Sequence, residues 1–253
     1  IDEAFLDVTE RARDFRRARS LAGEIKEAVK AQTGLTASVG VAPNKSIAKI
    51  ASDKEKPDGL TVVSPKQVEA FLRPLPVSDI PGVGTKTKAA LKRMGIETIG
   101  ELADTPPGDL TTAFGKGGVW LWAIARGEEE APVEGRGEPK SFSAEHTFSE
   151  NLDDWERILA KLPPLVDDVY WRVRDDGFLY RTVSIKIRFE DFETMTRDRT
   201  LSAYTNDRRT IETVARELLA EFRSYPKKLR LLGVKVAGLK KIEEGQETLQ
   251  RWT

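Results

Sequence analysis

The sequence contains no cysteine and one histidine, His146, among its 253 residues. Without cysteine there is no disulfide framework, no thiolate zinc site and no cysteine nucleophile. One histidine excludes a multi-histidine metal site, and we expect His146 to serve packing or a strand hydrogen bond rather than catalysis. Thiol chemistry and histidine-rich metal centres are therefore excluded as functions.

Long apolar runs and a net charge are absent as well. No apolar run approaches the ~20 residues of a membrane span, and no secretory signal is visible. Lys plus Arg and Asp plus Glu both number 41. The resulting net charge of zero neither supports nor excludes nucleic-acid binding, because local patches decide it. We predict a soluble, cytoplasmic protein of one to three domains. Because the chain opens inside a predicted strand without an initiator Met, we expect a fragment whose upstream part is missing.

Two carboxylates, Asp2 and Glu3, stand side by side at the start of the chain. Close carboxylates repel each other by roughly 1–4 kcal/mol at effective dielectrics of 80 to 20, and a divalent cation removes that repulsion. Hard oxygen ligands suit Mg²⁺, so the pair is a candidate metal site. Both side chains of a continuous strand can reach one ion only if a turn or twist intervenes. An ordinary exposed Asp-Glu turn is the alternative.

The pattern along the chain predicts an α+β multidomain fold that begins with an α/β layer. Apolar residues at helical spacing predict a helix over 14–33, ended by Gly34, and a second helix from Lys45, ended by Pro57-Asp58-Gly59. These helices separate three predicted β segments, a strand or hairpin at 2–9 and strands at 35–41 and 60–63. The order β-α-β-α-β suggests a single sheet layer.

The rest of the chain is predicted to form a small helical region and a second α+β region. Residues 64–130 are mainly helical, and 131–140 have the composition of a linker. Residues 141–238 show the order β-α-β-β-α-β, the split βαβ arrangement. Pro163-Pro164 is expected to bend or restart the first helix of that region.

Three lysines, Lys45, Lys49 and Lys56, fall within about 40° of one another at about 100° per residue on the helix after Asn44. Ammonium groups on such a basic stripe suit phosphates as point charges. The alternative is a solvated helix face without a ligand.

The stretch Ile80–Gly84, Ile-Pro-Gly-Val-Gly, precedes an amphipathic helix. Glycines before a helix let the backbone approach closely and leave N–H groups available to an anion. The pattern is typical of a helix-hairpin-helix turn that binds one DNA phosphate, and a glycine-rich helix start without a ligand is the alternative. The neighbouring side chains that add donors are Thr85, Lys86 and Lys88.

One predicted strand of the C-terminal region exposes a polar and basic face, and another begins with Lys227–Arg230. Such a face, with helices on the other side of the sheet, can lie along a phosphate backbone. A solvated sheet face is the alternative. The polar positions of the first strand are Thr182, Ser184, Lys186 and Arg188.

Four stretches of the sequence resemble the Y-family, lesion-bypass DNA polymerases, and most of all the DinB/DNA polymerase IV branch and its archaeal homologues. They are Ile1–Asp7, Ser38–Ala51, Lys54–Gly59 and Ile80–Gly84. Their order and spacing match as well, and the domain order agrees to about residue 238. The resemblance implies a division into the later part of the palm (1–63), the thumb (64–130), a linker (131–140), the little finger (141–238) and a tail (239–253).

The resemblance also implies an activity. The implied function is low-fidelity translesion synthesis by a monomeric, Mg²⁺-dependent DNA-directed DNA polymerase. Two metal ions would serve nucleotidyl transfer to a primer 3′-hydroxyl, with primer–template DNA and deoxynucleoside triphosphates as partners. The family's earlier aspartate motif, its fingers and its ribose-excluding residue have no counterpart in this chain. We therefore expect the 253 residues alone to bind DNA but to extend it negligibly.

Particular residues receive roles from the same resemblance. Asp2 matches the metal-ligand aspartate and Glu3 the neighbouring catalytic glutamate. Lys56 matches the lysine that meets the triphosphate, and Lys49 lies in the same motif. The DNA-binding positions so implied are Gly82, Gly84 and Arg230.

The last residues resemble the peptide by which archaeal and eukaryotic replication proteins bind a sliding clamp. Gln246, Leu249 and Trp252 have its spacing, and Leu249 and Trp252 share a face in one helical turn. The polar stretch 240–245 is expected to act as a tether that raises the local concentration. Thr253 replaces the second aromatic residue of the motif, and a frayed tail is the alternative.

A non-catalytic DNA-binding protein that uses the hairpin and the basic sheet face is the competing hypothesis for the whole chain. Asp2-Glu3 together with Lys56 distinguishes the two, because a protein that only binds DNA does not need these residues.

Overall fold

The computed structural model describes residues 3–135 and 137–242. The chain divides into two compact units, Ile1–Gly135 and Arg136–Thr253.

Helix α1, Phe15–Thr33, opens the regular structure of the first unit. Asp14 caps it, because its carboxylate accepts a hydrogen bond from the Arg17 backbone N–H at 2.7 Å. Gly34 ends it at a φ of +73°, a left-handed conformation that favours glycine. The predicted helix and its glycine stop are confirmed.

Two short parallel strands, β1 (Val39–Val41) and β2 (Leu60–Val62), are joined by helix α2, Lys45–Lys54. Asn44 caps α2 by accepting from the Ile47 N–H. The predicted β-α-β succession is confirmed here, although both strands are shorter than expected. This β-α-β arrangement places α2 directly against the two-stranded sheet.

Gly40 of β1 and Gly59, the residue before β2, allow α2 and its C-cap to lie close to the sheet. A Cβ atom at Gly40 would stand 2.0 Å from the Ala48 carbonyl oxygen, and one at Gly59 would stand 2.3 Å from that of Glu55. Any side chain at either position therefore has to push α2 away. These contacts explain why the two motifs around Gly40 and Gly59 carry glycine.

The half-buried side chain of Lys26 ties α1 to the sheet. Its Nζ donates to the Ala37 carbonyl at 2.9 Å, to the Gly59 carbonyl at 3.0 Å, and to the carbonyl and carboxylate of Asp58 at 2.6 Å each. This ion pair lowers the pKa of the Asp58 carboxyl. One ammonium group thus fixes the turn that leads into β2.

The predicted strand over 2–9 is wrong for the residues that the structure describes. Residues 3–8 form no strand, and a turn follows at Thr9, whose N–H donates to the Asp7 carboxylate at 2.9 Å. Phe5 and Leu6 are 48% and 63% exposed. The apolar, β-branched composition gave the strand signal, but a strand also needs a hydrogen-bonded neighbour, and the described sheet offers none at this segment.

The second half of the first unit is helical, as predicted. Helix α6 was not predicted, although Pro107 at its start and Gly115 at its end are typical helix boundaries. Helices α6 and α7 approach closely, because a Cβ at Gly118 would stand 2.1 Å from the Leu110 carbonyl oxygen. The helices are α3 (Val68–Leu72), α4 (Thr85–Arg93), α5 (Ile99–Asp104), α6 (Pro107–Phe114) and α7 (Lys116–Ala125).

One hydrophobic core of the first unit contains buried residues from both sides of residue 63, where the predicted α/β layer ends and the helical region begins. It joins buried side chains of α2 to those of the helical half, so the two parts are packed together. Its largest fully buried members include Ile47, Leu72, Ile80, Leu91, Ile99 and Leu121.

The second unit is a sheet with helices, and it confirms the predicted β-α-β-β-α-β succession. The long strands are antiparallel in the order β3-β6-β4-β5. The first helical segment ends at Leu159 and restarts at Leu162, as expected from Pro163-Pro164. The elements are β3 (Ser141–Leu152), α8 (Trp155–Leu159), α9 (Leu162–Asp175), β4 (Phe178–Phe189), β5 (Thr194–Thr205), α10 (Arg208–Ala220) and β6 (Leu229–Ala237).

A further strand, β7 (Lys240–Lys241), pairs with Phe178 and Leu179 at the start of β4. The stretch 240–245 was expected to be a tether. Its first two residues instead belong to the sheet, because they make backbone pairs that composition alone does not reveal.

One face of this sheet packs against α9 and α10, and the core lies between them. The Tyr180 hydroxyl donates to the Asp207 carbonyl at 2.7 Å, and burial raises the pKa of this phenol. His146 makes an edge-on contact with the ring of Phe148, with ring centroids 5.1 Å apart, which agrees with the expected packing role. The opposite face is left to polar side chains.

Among the helices of residues 3–135 and 137–242, none is both long and apolar enough to cross a membrane.

The contact at Gly40 predicts a specific loss of stability. Gly40→Ala should lower the free energy of unfolding by about 1–3 kcal/mol, since the added methyl group overlaps the backbone of α2. The midpoint of urea-induced unfolding, followed by circular dichroism, measures this change.

Gly23→Ala is the matched control, because Gly23 lies inside α1 and nothing stands within 4 Å of its Cβ position. It should stabilise the protein by about 0.5–1 kcal/mol. Equal effects of the two substitutions would contradict the close approach of α2.

Candidate functional site

Helix α2 and the segment after it hold a cluster of two lysines and two carboxylates, Glu3, Lys49, Asp53 and Lys56. Lys49 Nζ lies 2.6 Å from Glu3 Oε1 and 3.0 Å from Asp53 Oδ2. Lys56 Nζ lies 2.5 Å from Asp53 Oδ1. Asp53 therefore bridges the two lysines, and the structure brings together three of the residues that the sequence assigned to the catalytic and nucleotide sites.

The predicted basic stripe of three lysines on one helix is wrong. Helix α2 ends at Lys54 and Glu55 caps it, so Lys56 lies beyond the helix. Lys45 Nζ donates to the Pro132 carbonyl at 2.9 Å, away from the cluster. Lys49 and Lys56 converge because both bind Asp53, a residue that sequence reasoning did not single out.

The ion pairs shift the ionisation of the cluster. The hydrogen bond to Glu3 is the main cause that raises the pKa of Lys49, with Asp53 adding to it and partial burial opposing it. The hydrogen bond from Lys56 is the main cause that lowers the pKa of Asp53, and Lys49 adds to it. Lys49 and Asp53 are consequently both charged at neutral pH.

The donor chemistry of the cluster suits a hard cation only in part. The Glu3 carboxylate is an oxygen ligand of the kind that Mg²⁺ takes, and it is 60% exposed and held by one lysine. Within residues 3–135 and 137–242, no group of three or more Asp, Glu, His or Cys side chains is placed to hold a metal. Asp2 lies outside the described residues.

The segment Ile80–Gly84 forms the hairpin that the sequence predicted ahead of α4. Ile80 and Val83 are buried and anchor it, and the Val83 N–H donates to the Ile80 carbonyl at 3.0 Å. Gly82 has a φ of +90°, which a residue with a side chain adopts only under strain. The hairpin is therefore held from within while its glycines face outward.

The N-terminus of α4 is open to an anion. Gly84 is the N-cap and supplies no side-chain hydrogen bond, so the first N–H groups of α4 lack that form of capping. Nothing stands within 4 Å of the Cβ position of Gly84. The side chains of Thr85, Lys86 and Lys88 are exposed around this opening.

Trp120 on α7 supports the hairpin, and sequence reasoning missed it. Its Cη2 atom lies 3.4 Å from the Cβ position of Gly82, and the residue is 41% exposed. The tryptophans were assigned to the core or its edge, because nothing in the spacing shows that α7 reaches the hairpin.

Two members of the lysine–carboxylate cluster, Lys49 and Asp53, line one open cleft of about 510 Å³ together with residues 80–83 of the hairpin. Lys49, Asp53 and Lys54 lie on the side of α2, and the segment 78–83 forms the other side. The cleft thus joins parts of two sites that the sequence predicted separately, with Lys49 from one and Gly82 from the other.

Strands β4 and β6 of the second unit carry the other predicted DNA-binding residues. Lys186 is ion-paired with Glu145 at 2.8 Å, and Arg188 Nε donates to the Thr194 hydroxyl at 2.8 Å. Arg230 is the extra residue of a bulge in β6, and its guanidinium lies 4.8 Å from the ring centroid of Phe192. Arg230 therefore has no paired residue on β4, the strand that carries Lys186 and Arg188.

The predicted clamp-binding residues Gln246, Leu249 and Trp252 lie outside the described residues.

The Asp53 bridge predicts a change in titration. Lys56→Gln should raise the pKa of Asp53 toward its ordinary value of 3.8, because the Lys56 hydrogen bond is the main cause of the depression. A carboxyl with a lowered pKa contributes stability at neutral pH that is lost as the pH falls through its folded pKa. NMR titration of the Asp53 side-chain carboxyl measures the shift.

Lys54→Gln is the control, because Lys54 lies beside Asp53 in sequence but does not contribute to its lowered pKa. An Asp53 titration unchanged by Lys56→Gln would contradict the bridge.

Three family profiles match the chain along its length. The impB/mucB/samB family matches residues 1–53, the thumb domain of DNA polymerase-iota matches 78–129, and the impB/mucB/samB family C-terminal domain matches 139–250.

Curated relatives match nearly the whole chain. DNA polymerase IV of Methanoculleus marisnigri is 45% identical over 239 residues, which cover 94% of this chain and 66% of that protein. DNA polymerase IV of Halobacterium salinarum is 42% identical and is covered to 60%, and that of Alkalilimnicola ehrlichii is 40% identical and is covered to 69%. The chain thus spans 60–69% of the length of these relatives.

Solved structures of Y-family DNA polymerases match the chain as well. A Y-family DNA polymerase chimera of Dbh and Dpo4 matches 94% of this chain and 69% of its own with a TM-score of 0.83 and 29% identity. An insertion ternary complex of Dbh DNA polymerase matches 92% of this chain and 67% of its own, with a TM-score of 0.60 and 29% identity. Because its fold matches these polymerases and it is 40% identical to a DNA polymerase IV over 69% of that protein, the chain belongs to the DNA polymerase IV branch of the Y-family.

Proposed function

We propose that the protein carrying this chain is a DNA-directed DNA polymerase for low-fidelity translesion synthesis, which transfers a nucleotide to a primer 3′-hydroxyl. The observation that carries the proposal is the cleft that Lys49 and Asp53 of the lysine–carboxylate cluster share with residues 80–83 of the hairpin. A primer strand carries phosphates along its backbone and meets a triphosphate at its end, so it needs both kinds of site close together. The relatives, which are named DNA polymerase IV, support the same reaction.

The proposed division of the chain is palm over 1–63, thumb over 64–130, linker over 131–140 and little finger over 141–238, followed by the tail. The family profiles that match 1–53, 78–129 and 139–250 support it. The boundary between the two compact units, at Gly135, falls inside the proposed linker.

Asp2 and Glu3 are the proposed catalytic carboxylates and ligands of Mg²⁺, of which two ions are expected. When bound, Mg²⁺ supplies charge neutralisation at the reacting phosphates. Lys56 binds the incoming triphosphate as a point charge, and Lys49 lies beside Glu3. Asp53 holds both ammonium groups at one place and so orients them toward the same ligand.

The hairpin is the proposed site of one DNA backbone phosphate. The open N-terminus of α4 offers N–H groups to the anion, with Lys86 and Lys88 as flanking charges. On the little finger, Lys186, Arg188 and Arg230 are the proposed phosphate contacts. Contacts of this kind release counterions, so binding should weaken as salt increases.

The proposed partners are primer–template DNA and deoxynucleoside triphosphates. A solved ternary complex of a similar polymerase, 29% identical to this chain, supports these substrates. We also propose a monomer that acts in the cytoplasm, where the chromosomes of archaeal and bacterial cells lie.

The carboxylate assignment predicts a loss of catalysis. Asp2→Ala and Glu3→Ala should each reduce single-turnover primer extension by well over tenfold, while affinity for primer–template DNA changes little. The assay uses the longest natural form of the protein that contains this chain.

Asp7→Ala is the control, since Asp7 lies in the same segment but its carboxylate accepts from the Thr9 N–H. Extension within about tenfold of the parent for both variants would contradict the assignment, because tenfold is only about 1.4 kcal/mol of barrier. DNA binding by a parent protein that extends no primer would favour the non-catalytic DNA-binding hypothesis instead.

The clamp peptide gives a separate prediction. A peptide of residues 243–253 should bind the cognate sliding clamp through Gln246, Leu249 and Trp252, and Leu249→Ala with Trp252→Ala should abolish binding. Calorimetric titration measures it, with Thr248→Ala as the control. Equal binding by the native and the doubly substituted peptide would remove the clamp from the partners.

A further inference from the structure

One ion pair crosses the polar face of the little-finger sheet from β3 to β4. Lys186 Nζ lies 2.8 Å from Glu145 Oε1 and 3.0 Å from Oε2. Both residues pair in register with the same residue of the strand between them, Gly233 on β6. Glu145, Gly233 and Lys186 therefore form one row across three strands.

Gly233 makes this contact possible. Two strand spacings separate β3 from β4 by roughly 9.6 Å, so both side chains must lean over the central strand to meet. A Cβ at Gly233 would stand 2.9 Å from Glu145 Cγ. The glutamate side chain thus rests on the bare backbone of the glycine, and the ion pair is seated on the sheet rather than extended into solvent.

The pair borders a shallow cleft of about 90 Å³ on the same face. Ser143, Ser184 and Thr196 line it with hydroxyl groups, and Lys235 adds a second ammonium group. Nearly every polar side chain around the cleft can donate a hydrogen bond to an anion. Glu145 is the exception, because its carboxylate only accepts. It is ion-paired with the Lys186 ammonium group, which a phosphate would otherwise contact.

We propose that Glu145 is an intramolecular counter-ion that competes with a DNA backbone phosphate for Lys186 and so weakens the grip of the little finger on DNA. The inference rests on the proposed function, in which this face binds DNA. The pair is 33% and 38% exposed, so a phosphate can reach Lys186 from solvent. When DNA binds, Lys186 exchanges the Glu145 carboxylate for a DNA phosphate. The free energy of the broken Lys186–Glu145 ion pair is then subtracted from the contribution of Lys186 to DNA affinity.

The test is binding of a fluorescent primer–template duplex to the full chain, followed by anisotropy at fixed salt. Glu145→Gln should tighten binding about two- to fivefold, the range expected for release of one exposed ion pair. Lys186→Met should weaken binding less than about twofold in the parent but by a larger factor in the Glu145→Gln background. The non-additivity shows that Glu145 acts through Lys186.

Asp198→Asn is the matched control for charge. Asp198 lies opposite Ser184 on β5, one row away on the same face, and the substitution removes the same charge. It should tighten binding less than Glu145→Gln and by the same factor with or without Lys186. A thermal melt of each variant checks that the sheet is intact.

Two results would overturn the inference while leaving the proposed function in place. One is a Glu145→Gln effect that is absent, or that is equally large in the parent and in the Lys186→Met background. The other is an effect that Asp198→Asn reproduces in full. In both cases the proposed function stands if Lys86→Gln with Lys88→Gln, at the start of α4, weakens duplex binding. A parent chain that binds no duplex overturns both.

Discussion

The close contact of α2 with two glycines is the constraint on which the rest of the first unit depends. Backbone carbonyls of α2 and its cap press against Gly40 and Gly59 at distances that admit no side chain. The Lys26 ammonium group holds the turn before β2 in the same place. Because α2 cannot slide or lift, Lys49 and Asp53 take fixed positions, and the chain that leaves α2 brings Lys56 back onto Asp53.

Three of the lysines proposed to meet phosphates are ion-paired with carboxylates of the same protein. Lys49 binds Glu3 and Asp53, Lys56 binds Asp53, and Lys186 binds Glu145. A net charge of zero is then compatible with a DNA-binding surface, because each paired lysine can exchange its carboxylate for a phosphate. Exposed pairs of this kind are worth at most about 1 kcal/mol each, so the exchange costs little.

Patterns that depend on neighbours along the chain predicted the structure well. The helix stop at Gly34, the restart near Pro163-Pro164 and the order of elements in the second unit all follow from local periodicity and caps.

Features that depend on contacts across the fold were missed. The segment 2–9 had strand composition but no neighbouring strand in the described sheet, and the contact of Trp120 with Gly82 needs the path of α7. The row through Glu145 and Gly233 requires the strand register, which local periodicity does not reveal.

The bridge through Asp53 has a consequence for nucleotide binding in the proposed polymerase. Two lysines that faced each other without a carboxylate would repel and spread apart, since like charges at short range cost free energy. Asp53 keeps them together, and its lowered pKa means that it stays ionised at neutral pH. A triphosphate carries several negative charges and can contact both ammonium groups, whereas Asp53 offers a single charge. On this proposal the nucleotide meets lysines that are already oriented, and it competes with a weaker anion for them.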